Sequence, residues 1–159
     1  MDLKPLLVLD VDGPLNPYLA DPVPDGYEVH DLLGYRVLLN PSMGPELTAF
    51  ADLHGMELAW ATTWEHDANR YIGPLIGLPE LPVIEWGLTA KFWKFNGVLE
   101  YAGDRPLAWL DDDFRYFPHE EDWFRRQRDW VPTLLHEVDP SVGITDRDLE
   151  AIEGWVKGL

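Results

Sequence analysis

The sequence predicts an α/β fold with a central, mostly parallel sheet covered by helices on both faces. Short apolar runs suited to buried strands recur along the chain, and segments of helical periodicity lie between them. Strands buried on both faces read as near-continuous apolar runs, as these do. Several runs also lead straight into polar residues, and in such sheets the ligand crevice lies at the carboxyl ends of the strands.

Candidate strands fall at residues 6–9, 58–61, 82–84 and 107–110, with a weaker one at 133–135. Between them, 45–54 has helical spacing and ends at Gly55, a C-cap candidate. A second helix is predicted over 91–102, stopped by Gly103, a third over 120–130, and a fourth over 146–156 opened by Thr145 as N-cap. Residues 14–42 break the alternation and are rich in Pro, Gly and Tyr. There, 27–30 and 35–39 flank Asp31-Leu-Leu-Gly34, which predicts a hairpin standing beside the crevice as a flap. No repeat, low-complexity segment or linker divides the chain, so one domain is expected over 1–159, with the flap as an insertion at about 14–42.

Composition narrows the function classes. At 159 residues and 46% apolar, the chain can bury a sizeable core. No apolar run approaches the roughly 18 residues that span a bilayer. The opening MDLKP and its short apolar run meet two aspartates at once, too short and too acidic for a signal-peptide core. Cysteine is absent, which excludes disulfides and thiolate metal sites and suits a cytoplasmic protein. Twelve basic against 29 acidic residues give a net charge of -17. Such a surface repels nucleic acid and anionic membranes in general, so an anionic substrate needs a local basic or metal-bearing site.

The chemistry is concentrated at strand ends. The first run ends in Asp10-Val-Asp12-Gly13, the second in Thr62-Thr63, and the fourth in Asp111-Asp112-Asp113; Lys91 and Lys94 open the helix before that fourth run. Carboxylates crowded on one rim either raise one another's pKa or bind a cation. An all-oxygen cluster suits a hard ion, and a few carboxylates with water and phosphate suit Mg²⁺. These residue types fit phosphoryl transfer, which needs an in-line nucleophile, a metal, and fixed cationic and hydrogen-bonding groups. Asp10 can form an acyl-phosphate, and Asp12 can protonate the leaving group and later activate water. Gly13 lets the chain turn without a side chain in the path of the phosphate. A Thr hydroxyl and a Lys ammonium can hold the transferring group.

In order and placement these segments resemble the haloacid dehalogenase superfamily of phosphohydrolases. LLVLDVDGPL matches its first motif, ELAWATTW its second, KFWKF its third and LAWLDDDF its fourth, from residue 6 to about 114. The resemblance implies a three-layer, Rossmann-like fold and a Mg²⁺-dependent phosphatase acting on a phosphate monoester. Asp10 would be the nucleophile and Asp12 the general acid/base. Phosphate binding would fall to Thr62, with Thr63 as the second choice, and to Lys94 over Lys91. The metal would be held by Asp10, Asp12, Asp111 and Asp112. Pro14 departs from the Thr or Val more usual after DxDG, beyond the catalytic pair. Neither the residues after the first motif nor those between Lys94 and Asp111 hold a domain-sized insertion, so no large cap is expected. Capless members tend to act on large substrates or to borrow a lid from a partner subunit.

Other residues have plainer readings. Trp60 and Trp109 lie in apolar strands and belong to the core, whereas Trp64, Trp86 and Trp93 are candidates to line the crevice. The histidines lack ligand spacing, and His66 reads as a polar helix residue. Arg125-Arg126-Gln127-Arg128 reads as a solvated helix face. Alternatives in function are a phosphotransferase passing the aspartyl phosphate to another alcohol, a catalytically silent relative, and a receiver-like signalling domain. In a receiver the lysine comes last, after the acidic residues, and here it precedes the acidic cluster Asp111-Asp112-Asp113.

Overall fold

Leu6–Leu9 forms β1, and all four side chains are buried because helices cover both faces of the sheet it centres. The computed structural model describes residues 3–86 and 93–159. After β1 come a hairpin of β2 (Glu28–Leu32) and β3 (Tyr35–Leu39), helix α1 (Met43–His54) and strand β4 (Glu57–Trp60). A π-helical turn (Ala68–Ile72) runs into the short α2 (Gly73–Ile76). Then follow α3 (Trp93–Ala102), β5 (Leu107–Asp111), α4 (Pro118–Gln127), β6 (Thr133–Glu137) and α5 (Asp146–Lys157).

The main sheet has the order β4-β1-β5-β6 and every pairing is parallel. The architecture is therefore a Rossmann-like α/β sheet flanked by helices. From β1 the chain goes to β4 on one side and later crosses to β5 on the other. That reversal opens a crevice between the carboxyl ends of β1 and β5. The register aligns Leu9 with both Trp60 and Leu110, so the residues that follow each strand emerge on one rim.

Alternation along β1 divides the core. Leu7 and Leu9 pack with Leu47 and Ala51 of α1 and Ile152 of α5, while Leu6 and Val8 pack with Phe95 and Val98 of α3 and Phe124 of α4. Each of the larger side chains among these contributes about 1.5–3 kcal/mol by leaving water. Trp60 and Trp109 are fully buried, as their strand positions require.

Three expectations need correction. Residues 82–84 do not form a strand: Val83 makes a single parallel bridge to Trp60. Pro82 has no N–H to extend a ladder, and only its carbonyl pairs, with Trp60 N–H at 2.9 Å. The helical stretch over 68–76 was not expected, because Gly73 and Pro74 sit inside nine residues and disguise it. Finally, α4 ends at Gln127 and the basic cluster is not one solvated face. Arg125 and Arg126 do pair outside with Glu121 and Asp122 at 2.9 Å each. Arg128 instead turns inward, fully buried, and donates to Gly103 O at 2.6 Å, Thr133 Oγ1 at 2.9 Å and Arg105 O.

The predicted α5 begins as expected. Asp148 accepts the Thr145 N–H at 2.7 Å and also pairs with His136 of β6 at 2.7 Å, tying helix to sheet. Among the described residues no helix is long and apolar enough to cross a membrane.

Candidate functional site

The parallel register sets the floor of the site. Asp10 N–H donates to Leu110 O at 3.1 Å, and Ala61 N–H to Leu9 O at 2.8 Å. Asp10 and Asp111 thus stand at one level at the ends of β1 and β5, with Thr62 one residue further along beyond β4, and all three are buried. Lys94, from the first turn of α3, reaches down between two strands. Its Nζ lies 3.1 Å from Asp10 Oδ2 and 2.5 Å from Asp111 Oδ2. Lys91 lies outside the described residues.

Asp111 is held on both oxygens. Its Oδ1 accepts the N–H groups of Asp112 and Asp113 at 2.8 and 3.1 Å, so the backbone wraps round the carboxylate and presents the next two side chains to the crevice. Asp10, Asp111, Asp112 and Asp113 can each offer an oxygen to a common point, with those atoms within 4.8 Å of one another. Asp12 stands outside this group. Its Oδ1 accepts from Asn16 Nδ2 at 3.0 Å and its Oδ2 from Trp64 Nε1 at 3.2 Å.

Gly13 shows why this turn takes glycine. Its φ is +100°, and a Cβ there would lie 2.5 Å from Asp112 Cγ. The backbone after Asp12 therefore runs directly against the second aspartate of the triplet.

Four carboxylates face one ammonium, and their ionisation reflects it. Burial pushes the Asp10 carboxyl well up, with Asp111 and Asp12 adding repulsion against the pull of Lys94. Burial also lifts Asp112 to about 6, reinforced by Asp113 and Asp111 against the hydrogen bond from Tyr18. Asp113 is raised by burial and by Asp111. Lys94 is raised despite its burial, because Asp10 and Asp111 flank it. The donor set is all oxygen and overcharged, which is the chemistry of a hard divalent cation.

Beside the floor opens a cleft of about 570 Å³, with Asp12, Thr63, Trp64, Tyr18 and the hairpin residues Tyr35 and Arg36 among its walls. Asn16 links hairpin and floor: buried, it accepts the Leu38 N–H of β3 at 2.8 Å while donating to Asp12. Of the two threonines, Thr62 is buried at the strand end and Thr63 is exposed in the cleft. Thr62 Oγ1 accepts the Trp64 N–H at 3.2 Å, and its own proton has no acceptor among the described residues. Trp64 does line the cleft, whereas Trp86 packs against the core cluster beneath α3. His66 is exposed and pairs with Glu85.

Sequence reasoning missed Tyr18, whose hydroxyl donates to Asp112 Oδ2 at 2.7 Å, and Asn16. Both lie in the loop that leads from Gly13 to the hairpin, where no periodicity marks a residue. Asp113, outside the expected metal set of Asp10, Asp12, Asp111 and Asp112, belongs to the group of four that could hold an ion, and Asp12 does not.

No family model and no curated protein matches the chain. Among solved structures it is similar to a hypothetical protein from Xanthomonas campestris, at 16% identity and a TM-score of 0.42, over 98% of this chain and 86% of that one.

Proposed function

We propose that the protein is a capless phosphatase of the haloacid dehalogenase type, hydrolysing a phosphate monoester through an aspartyl-phosphate on Asp10. The observation that carries this reading is buried Lys94, whose Nζ is bonded to both Asp10 and Asp111 at the floor of the switch-point crevice. Mg²⁺ fits the four aspartates gathered beside it, with Asp112 and Asp113 as the freer donors, Asp10 and Asp111 each being engaged by Lys94 and by backbone N–H groups. When bound, it would offset charge on the phosphate oxygens and on the crowded carboxylates.

In the first step an Asp10 oxygen attacks phosphorus in line, and the bond from phosphorus to the ester oxygen breaks. The electron pair leaves with that oxygen, which takes a proton from Asp12. Asn16 and Trp64 both donate to Asp12, so a proton on that carboxyl has neither as an acceptor and points to the cleft. In the second step water attacks phosphorus, Asp12 takes the water's proton, and phosphate leaves with Asp10 restored. Lys94 and the Thr62 hydroxyl hold the phosphoryl oxygens through both steps. The exposed hairpin serves as a flap over an otherwise open site.

The test is phosphate release from a panel of phosphate monoesters in Mg²⁺, wild type against Asp10→Asn. Wild type is expected to turn over at least one ester, and the variant to lose on the order of a thousandfold. Full activity in Asp10→Asn, or inertness of wild type on the whole panel, contradicts the proposal. Product analysis with competing alcohols separates hydrolysis from phosphotransfer.

A further inference from the structure

Resting on the phosphatase reading, we infer that the leaving group of the substrate carries a planar aromatic ring, bound in the cleft between the hairpin and the loop after β4. Trp64 and Tyr35 form a corner, with ring centroids 6.0 Å apart and planes at 64°. Trp64 is fixed beside the chemistry by its bond to Asp12 at 3.2 Å. A ring lying on the indole therefore sits close to the ester oxygen that Asp12 protonates. Tyr35 is 66% exposed, so its ring offers an open face further out. Exposed aromatic rings around a cavity provide stacking surfaces for flat ligands.

Size and charge limit the rest of the molecule. The cleft, at about 570 Å³, lies in the range of small-ligand sites. Arg36 lines it and forms no ion pair among the described residues, so its charge is available to draw in a phosphate dianion. The net charge of -17 opposes a polyanionic chain trailing from the site. These features favour a small aryl phosphate or a mononucleotide over a phosphorylated polymer end.

Phenyl phosphate, adenosine 5′-monophosphate, glucose 6-phosphate and glycerol 3-phosphate separate the possibilities, assayed in Mg²⁺ by kcat/KM. Binding of the same four to Asp10→Asn protein is measured by calorimetry. The better aromatic ester is expected to exceed both aliphatic ones by about tenfold, in turnover and in binding alike. That preference should fall several-fold in Tyr35→Ala, whose mostly exposed side chain can be removed without opening the core. Phenyl phosphate winning places the ring directly on the ester oxygen; the nucleotide winning places it out at Tyr35. Equal kcat/KM for aromatic and aliphatic esters overturns the inference while leaving the phosphatase reading intact. If nothing is hydrolysed, that reading falls, and the binding series decides the cleft: equal affinities overturn it, and tighter aromatic binding that Tyr35→Ala weakens upholds it.

Discussion

Gly13 is the residue at which the backbone meets the aspartate cluster most closely. At φ +100°, with Asp112 Cγ only 2.5 Å from where a Cβ would stand, Gly13→Ala meets two penalties. The backbone conformation costs about 1–3 kcal/mol. Asp112 must also move by about an ångström, a displacement that costs on the order of a hundredfold in rate where groups are prealigned. Thermal melting and kcat together check this, and unchanged values in both refute the close approach. DVDG and the aspartate triplet are readable in sequence as separate motifs. Their contact is not, because it depends on how two parallel strands align. Asn16 and Tyr18 escaped notice for a related reason: each acts through one long-range hydrogen bond, to Asp12 and to Asp112, and leaves no local pattern.

Among the elements, the β2–β3 hairpin carries an unfavourable residue in its turn. Its two-residue turn is Leu33-Gly34, with φ of 53° and 84°. Positive φ at both positions is the turn that follows the twist of a hairpin, and it favours Asn-Gly. Leucine there costs about 1–2 kcal/mol. Leu33→Asn should therefore raise stability by about 1 kcal/mol, read as a higher Tm; a lower Tm would show that the exposed Leu33 side chain makes a compensating contact. The hairpin was legible from its Pro, Gly and Tyr-rich flanks and from Gly34. The short helical stretch over 68–76 was not, since a glycine and a proline inside it argue locally against a helix. The bridge at Val83 shows the converse, an apolar run that looks like a strand but whose proline stops the ladder.

At the scale of the whole molecule, the acidic site couples folding to pH. Asp112, raised to about 6 from 3.8, is grouped with Asp10, Asp111 and Asp113 and accepts the Tyr18 hydroxyl. Asp10 and Asp113 are raised as well. A carboxyl raised on folding makes the folded state hold more protons than the unfolded one. Its contribution is fully present below the unfolded value and is lost as pH rises through the folded value. Asp148 has the opposite sign. Despite its burial, His136 and Thr145 hold it low, so its contribution is lost only as pH falls below the ordinary carboxylate range. In chelator, Tm should thus fall as pH rises from about 4 to 6, with a shallower slope in Asp112→Asn. Equal slopes would show that Asp112 does not titrate in that window.

The chain's alternation made the parallel sheet legible, and its strand ends made the rim legible. The pairing of Lys94 with Asp10 and Asp111 needed the fold, because it spans three elements. The claim resting on that pairing is that Asp10 becomes phosphorylated. Wild-type protein is mixed with Mg²⁺ and the best ester of the panel, quenched in acid within the first turnovers, and digested for mass spectrometry. One phosphoryl group on the peptide containing Asp10, absent in Asp10→Asn, is the expected result. Rapid phosphate release with no phosphoryl group on that peptide contradicts it.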